Sequence, residues 1–204
     1  YNAYYRSLRN ATAGIGLGTY DYTSSYGSSG KLLGVANMNT VHKWKNFIYP
    51  LLDLWPLGVI THEMGHQWIA YVKLKNGTLT TDPQSSLRSH WDPLVHTDAS
   101  IMYGNDWKEV TAPTSIFGYS VPGTYLSVSL PGGFSPLDKY LMGVHGKEKV
   151  KDFFRIKASW SKIFKHFAMP GNMATGSKVK VTVGDIIAKN GARSPTWQNA
   201  QTSF

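Results

Sequence analysis

The chain contains no cysteine, and this absence excludes disulfide bridges and thiolate metal sites. Its 7 tryptophans, 12 tyrosines and 8 phenylalanines are too many for a disordered chain, which could not offset the entropy cost of ordering. At about 150 residues per domain, the length favours a single domain over residues 1–204. Within it, we distinguish an N-terminal part, 1–77, and a C-terminal part, 78–204.

Long hydrophobic runs are missing too. The most apolar stretch, 51–72, is interrupted by Asp53, Glu63 and two histidines, whereas a membrane span needs about 18–20 consecutive apolar residues. The chain begins at Tyr1 without a signal-like segment, so we expect a processed or excised piece of a longer chain. The lack of cysteine also fits a secreted or cell-surface protein.

Acidic residues are scarce in the last third of the sequence. Residues 1–138 carry nine basic and nine acidic side chains, whereas residues 139–204 carry twelve basic and three acidic ones, and 12 − 3 accounts for the whole net charge of +9. This basic region can attract an acidic or polyanionic partner, or it can simply be a solvated surface. No specific nucleic-acid motif accompanies it.

One motif in the chain points to chemistry. The apolar pattern from Leu57 to Leu74 predicts a helix, and residues 62–66 within it read H-E-x-x-H. Because residues four apart share a helix face, His62 and His66 can bind one Zn²⁺, and Glu63 can act as a general base toward water at an open position. Gly65, unfavourable inside a helix, predicts that another backbone approaches closely there.

A third ligand is less clear from the residues. The extended metzincin motif needs a glycine three residues and a histidine or aspartate six residues after His66, and those positions hold Ile69 and Val72. The sequence alone favours His90, in Ser-His-Trp, over His96. A carboxylate such as Glu109 or Asp98 is a further alternative.

Four blocks together resemble a set of uncharacterised bacterial zinc metallopeptidase-like proteins. They are His62–Trp68, the Ser-His-Trp at 89–91, Thr97–Asn105 and Phe134–Gly143. The resemblance covers most of the chain and implies a zincin fold, with His62, Glu63, His66 and His90 at the metal. The stretch Ser100–Tyr103 also resembles the methionine turn of metzincins, in which a methionine forms an apolar floor under the metal.

Tyr103 is a second candidate catalytic residue, because an inward-pointing phenol can donate a hydrogen bond to the oxyanion that develops on a substrate carbonyl. The plainer interpretation is that this tyrosine packs in the core. Met102, its neighbour, is interpreted as packing rather than chemistry.

The fold expected from these patterns is α+β and zincin-like. It combines a mostly antiparallel N-terminal sheet including a strand at 31–38, the active-site helix, an irregular segment from 78 to 133, a helix at 136–142, a strand at 178–183 and a short helix at 183–189. Ser135 caps the helix at 136–142, Pro136 opens it and Gly143 ends it.

Zinc-dependent hydrolysis of peptide bonds by an exported endopeptidase is the leading function. A peptide or protein substrate would lie alongside the 31–38 strand. The alternatives are a non-enzymatic extracellular surface or assembly protein on a zincin scaffold, and metal-dependent hydrolysis of another bond such as a cell-wall amide.

Overall fold

The computed structural model describes residues 3–40, 54–74, 77–78, 90–111, 122–163 and 168–200. Its helices are α1 (Leu54–Gly65), α2 (Pro136–Met142) and α3 (Val183–Asn190). Its strands are β1 (Tyr4–Ser7), β2 (Arg9–Asn10), β3 (Tyr20–Asp21), β4 (Gly34–Asn37), β5 (Lys73–Leu74), β6 (Gly77–Thr78), β7 (Trp91–His96), β8 (Tyr103–Asn105), β9 (Trp107–Glu109), β10 (Thr124–Ser127), β11 (Phe153–Lys162) and β12 (Met173–Val181). Each of the three helices follows a group of strands along the chain.

The described N-terminal part contains small antiparallel pairs of strands. β1 pairs with β4, and β2 pairs with β3. Gly34 permits the first pairing, because a Cβ there would lie 2.0 Å from the Tyr5 hydroxyl. The strand predicted at 31–38 is confirmed as β4, but the larger N-terminal sheet expected around it is replaced by these two-stranded pairs.

The largest sheet lies in the C-terminal part. Its six strands run in the order β8-β7-β11-β12-β10-β9, antiparallel except for the parallel pair of β7 and β8. The prediction of an irregular segment over 78–133 is therefore wrong for the strands β7 to β10, while residues 79–89 and 112–121 of that segment lie outside the described residues. Strand pairing between distant segments, which local patterns do not encode, is the reason.

The six-stranded sheet nearly closes on itself. Its two edge strands, β8 and β9, follow one another in the chain with Asp106 between them. Trp107 of β9 reaches across to β7, where its indole N–H donates to the Pro93 carbonyl at 3.0 Å and its main-chain N–H donates to His96 Nδ1 at 3.0 Å. A small apolar cluster packs on the sheet, formed by Trp107, Tyr125, Phe154, Ile156 and Ala174.

A larger core joins both parts of the chain. It includes residues from the N-terminal segment, the stretch after α1, β7, α2 and α3, namely Ile15, Ile69, Ala70, Val72, Trp91, Val95, Met102, Leu137, Tyr140, Leu141, Val150, Val181 and Ile186. Because these residues exclude water together, the start of β7 is held against the stretch that follows α1. A single domain and a zincin fold remain predictions.

The two C-terminal helices begin at matching caps. In α2, Ser135 accepts from the Asp138 N–H, Pro136 occupies the first turn and Gly143 ends the helix with φ of 84°. In α3, Thr182 and Asp185 form the same capping box. The predicted helices at 136–142 and 183–189 are confirmed, and the predicted strand at 178–183 is the end of β12. No helix among the described residues has the length and apolar character needed to cross a membrane.

Candidate metal centre

The H-E-x-x-H motif lies at the C-terminal end of α1. The helix predicted to run to Leu74 ends at Gly65, where main-chain bonds shorten to three-residue turns, such as His66 N–H to the Glu63 carbonyl at 3.1 Å. Tyr71 contributes to this ending, since its hydroxyl donates to the His66 carbonyl at 2.5 Å. Ala70 then turns the chain with φ of 68°. The motif was predicted to lie in the middle of the helix. This prediction is wrong, because the helix ends about two turns earlier than expected.

Despite the early helix end, three histidines converge. His62 and His66 come from the end of α1, and His90 comes from the residue just before β7. One ring nitrogen from each lies within 4.8 Å of those of the other two. The Nε2 atoms of His62 and His90 are 2.9 Å apart. The structure thus brings together the three residues predicted to bind metal.

The tautomer of His62 follows from its hydrogen bond. Its Nδ1 lies 2.7 Å from the Ile101 carbonyl oxygen. A carbonyl can only accept, so Nδ1 carries the proton and Nε2 keeps its lone pair directed toward His90. Burial lowers the pKa of His62, which favours the neutral, ligand-competent ring.

The donor set fits zinc. Two nitrogens bound to one tetrahedral Zn²⁺ at about 2.0–2.1 Å lie about 3.3 Å apart, close to the spacing between the Nε2 atoms of His62 and His90. Three imidazoles leave one position of a tetrahedron for water or substrate. A main-chain carbonyl that orients a ligating imidazole, as Ile101 does for His62, is the usual support of such a ring.

Glu63, the residue after His62 in α1, has a buried side chain. It is 7% exposed, and burial raises its pKa, while a hydrogen bond from the Tyr5 main chain partly opposes the shift. Gln67 holds β1 near this position, because its amide oxygen accepts from the Tyr5 hydroxyl at 2.7 Å and its amide nitrogen donates to the Arg9 carbonyl at 2.7 Å. The Glu63 carboxylate thus faces the main chain of β1, and Gln67 ties β1 and β2 to the segment just after α1.

Tyr103 packs on the histidines. Its ring stacks on His90 with centroids 4.2 Å apart and planes 16° from parallel, and it lies 5.2 Å from the His62 ring. This contact forms one wall of the site and supports the orientation of His90. Its role as an oxyanion donor stays a prediction.

Met102 lies directly under the motif. It is fully buried, and a Cβ at Gly65 would come within 2.5 Å of its sulfur and 3.1 Å of the Phe134 ring. The close approach predicted at Gly65 is thus made by side chains and not by a backbone. The apolar floor under the metal that the resemblance to the methionine turn implies stays a prediction.

The turn that carries Met102 is tightly wound. Asp98, Ala99 and Tyr103 all have positive φ, between 52° and 77°, and each costs free energy for a residue with a side chain. Thr97 closes the turn, since its hydroxyl donates to the Tyr103 carbonyl at 2.8 Å. Conformations of this kind cluster at functional sites, and here the turn delivers the Ile101 carbonyl to His62.

The alternative third ligands lie elsewhere. His96, at the far end of β7, stacks on Phe154 and lies 3.1 Å from the Asp98 carboxylate, whose pKa this hydrogen bond lowers. His96, Asp98 and Asp106 form a second group within 4.8 Å. Several of its polar atoms have partners within the protein, because Trp107 donates to His96 Nδ1 and Ser129 donates to Asp106 Oδ2, and Lys108 forms an ion pair with Asp106 at 3.3 Å. Glu109 is exposed on β9.

Asp138 is a residue near the site that the sequence did not single out. Its carboxylate is fully buried and accepts hydrogen bonds from the Trp91 indole at 2.7 Å, the Ser100 hydroxyl at 2.6 Å and the Ser135 main chain at 2.7 Å. Burial raises its pKa despite these donors. Its position three residues after Ser135, within the cap of α2, can be read from the sequence. Its hydrogen bonds from the distant Trp91 and Ser100 cannot.

Part of the basic region lies on β11 and β12, where Lys157, Lys162, Lys178 and Lys180 are exposed, whereas Arg193 is buried. Lys178 lies 4.3 Å from the centroid of the Phe154 ring, and Lys180 lies 2.5 Å from the Asp152 carboxylate, which raises the pKa of the lysine. An acidic or polyanionic partner at this surface stays a prediction.

No protein-family model, curated protein or solved structure matches this chain. The resemblance to zinc metallopeptidase-like proteins, based on its four blocks, therefore stays a prediction.

Proposed function

We propose that the chain is a zinc-dependent peptidase in which His62, His66 and His90 bind the metal and Glu63 is the general base. The observation that carries this proposal is the convergence of three imidazoles from two separate segments, with a buried glutamate directly after His62 in the chain. An arrangement of three neutral nitrogen donors with an adjacent carboxylate is typical of hydrolytic zinc sites.

Zinc, when bound, supplies a Lewis acid that polarises a carbonyl and makes water a nucleophile near neutral pH. The chain's own residues perform the proton transfers. Glu63 accepts a proton from the attacking water and later donates it to the leaving amine. Because burial raises the pKa of Glu63, its carboxyl group retains this proton more readily than an exposed glutamate does.

Other residues exclude water and orient the site. Met102 closes it from below, and Tyr103 covers one side of His90. We assign to the Tyr103 hydroxyl the stabilisation of the developing oxyanion, as a second catalytic role. The substrate class is a peptide or protein, and a secreted or cell-surface location remains part of the proposal.

Replacing Glu63 with Gln tests the mechanism. This change preserves size and polarity but removes the base, so hydrolysis of a denatured protein or a peptide library should fall by about 10²–10⁴-fold while the zinc content stays unchanged. Glu109→Gln is the matched control, because Glu109 is an exposed glutamate on β9, and it should leave hydrolysis unchanged.

The outcomes separate the alternatives. A loss of less than about tenfold in Glu63→Gln would count against Glu63 as the base. If the zinc-loaded natural sequence cleaves neither peptides nor isolated cell wall, the non-enzymatic scaffold becomes the better interpretation. If it cleaves isolated cell wall but no peptide, the bond hydrolysed is a cell-wall amide.

A further inference from the structure

The Asp138 carboxylate connects segments that lie far apart in the sequence. It belongs to α2, yet its Oδ1 accepts from the Trp91 indole and its Oδ2 accepts from the Ser100 hydroxyl. The same Oδ2 accepts from the Ser135 main chain as part of the helix cap. One fully buried side chain therefore serves three donors.

Two of these donors adjoin the candidate metal centre. Trp91 directly follows His90. Ser100 directly precedes Ile101, whose carbonyl accepts from His62 Nδ1 at 2.7 Å. Asp138 Oδ1 thus fixes the segment that carries His90, and Oδ2 fixes the turn whose Ile101 carbonyl orients His62.

The hydrogen bonds form a closed circuit. Ser100 accepts from the Met102 N–H at 2.9 Å, and the Met102 carbonyl accepts from the Trp91 N–H at 2.9 Å. Together with the two bonds to Asp138, these contacts fix the start of β7 against the turn at 100–102. A shift of either segment breaks at least one bond in a site that excludes water.

We propose that Asp138 is a positioning residue of the metal centre, which sets the spacing between His90 and His62 without touching the metal. The inference rests on the proposed function, because it requires that these histidines bind zinc. Partners that orient metal ligands typically change metal affinity by about 10–100-fold when they are mutated.

Only a carboxylate satisfies all three donors. Asn at position 138 offers a single acceptor oxygen. Its NH₂ group, itself a donor, would take the place of the other carboxylate oxygen and would face a group that now donates a hydrogen bond to that oxygen. Asp185 provides a matched comparison, because it occupies the same position of the capping box in α3 but is exposed and bonds only to Thr182 among the described contacts.

The test is a measurement of Zn²⁺ affinity by competition with a chromophoric chelator. We expect Asp138→Asn to weaken affinity by about 10–100-fold and Asp185→Asn to leave it unchanged. Leu141→Ala, a cavity mutation in the same helix as Asp138, controls for general destabilisation. It should lower stability while the folded protein binds zinc as tightly as before.

A second variant covers the case in which Asp138→Asn does not fold. Ser100→Ala breaks the same circuit at another point and should also weaken Zn²⁺ binding. Bound Co²⁺ gives an absorption spectrum sensitive to ligand geometry, which should change in Asp138→Asn or Ser100→Ala but not in Leu141→Ala. In the double variant, the loss of affinity should be smaller than the product of the two single losses, because both changes interrupt one circuit.

The inference and the proposed function fail in different ways. If the natural sequence binds no Zn²⁺, the proposed function falls, and this inference falls with it. If the natural sequence binds Zn²⁺ and Asp138→Asn binds it within about threefold as tightly, Asp138 serves only to cap α2. Equal losses in Asp138→Asn and Leu141→Ala would likewise overturn the positioning role.

Discussion

At the scale of single residues, Gly65 shows how the motif depends on what lies beneath it. The residue is the last of α1, where alanine would favour a helix, but a Cβ there would meet the Met102 sulfur at 2.5 Å. Because Met102 is fully buried, it has little room to move aside. The glycine therefore lets the end of α1 that carries the H-E-x-x-H motif pack on Met102.

Two glycine-to-alanine changes in α1 should have opposite effects. Gly58→Ala should raise the free energy of unfolding by about 0.5–1 kcal/mol, because no described atom lies within 4 Å of the added Cβ. Gly65→Ala should lower it by about 1–3 kcal/mol through overpacking. Urea denaturation of the metal-free protein measures both. An equal gain from the two changes would show that Met102 moves freely.

Sequence patterns predict residues whose partners are close along the chain. The pairing of His62 with His66 followed from their spacing in one helix turn. The sequence favoured His90 as the third residue but left His96 and a carboxylate as alternatives. It did not indicate a role for Asp138. Asp138 accepts hydrogen bonds from the Trp91 indole and the Ser100 hydroxyl. These residues lie 47 and 38 positions away in the sequence, so no local spacing could reveal the contacts.

At the scale of elements, β7 separates the two histidines that competed for the third ligand position. His90 stands just before the strand, and His96 is its last residue. An extended strand of six residues is about 20 Å long, so one histidine lies at the candidate metal centre and the other at the opposite end of the strand.

The two histidines should differ sharply when each is replaced by alanine. His90→Ala removes one of three nitrogen donors and should weaken Zn²⁺ binding by more than about 100-fold, beyond the effect typical of residues that only support ligands. His96→Ala, the matched control, should change zinc affinity by less than about threefold and lose only its local contacts with Phe154 and Asp98. Equilibrium dialysis checks both, and the reverse order of losses would make His96 the ligand.

The helices show which elements a sequence can predict. The limits of α2 and α3 were predictable because Ser135, Thr182 and Gly143 act within one turn of the helix that they begin or end. The end of α1 could not be predicted in this way, because it depends on the hydrogen bond from Tyr71 and on the left-handed turn at Ala70. The six-stranded sheet was missed because its register joins strands that are distant in sequence.

At the scale of the whole molecule, the proposed metal links two parts of the chain. His62 and His90 are 28 residues apart, and their segments otherwise meet through the core and through the turn at 97–105. A ligand that binds only the folded state adds to its stability by mass action. Bound zinc should therefore stabilise the fold as well as support hydrolysis.

Removing the metal should lower the thermal midpoint. Free Zn²⁺ at 1,000 times its dissociation constant adds about 4 kcal/mol, and each kcal/mol shifts Tm by about 2–4 °C in a chain of this size. We expect a chelator to reduce Tm by about 8–16 °C, as measured by differential scanning fluorimetry. His62→Ala should show no response to the chelator. An unchanged Tm in the natural sequence would argue against a tightly bound ion.

The near closure of the six-stranded sheet also bears on how this chain behaves at high concentration. Unpaired strand edges act as templates on which other chains stack, and proteins limit this hazard by keeping such edges short. Here β8 and β9, the two edge strands, span only three residues each and are separated in the chain by Asp106 alone. The sheet therefore offers little edge for aggregation, although it is the largest in the described chain.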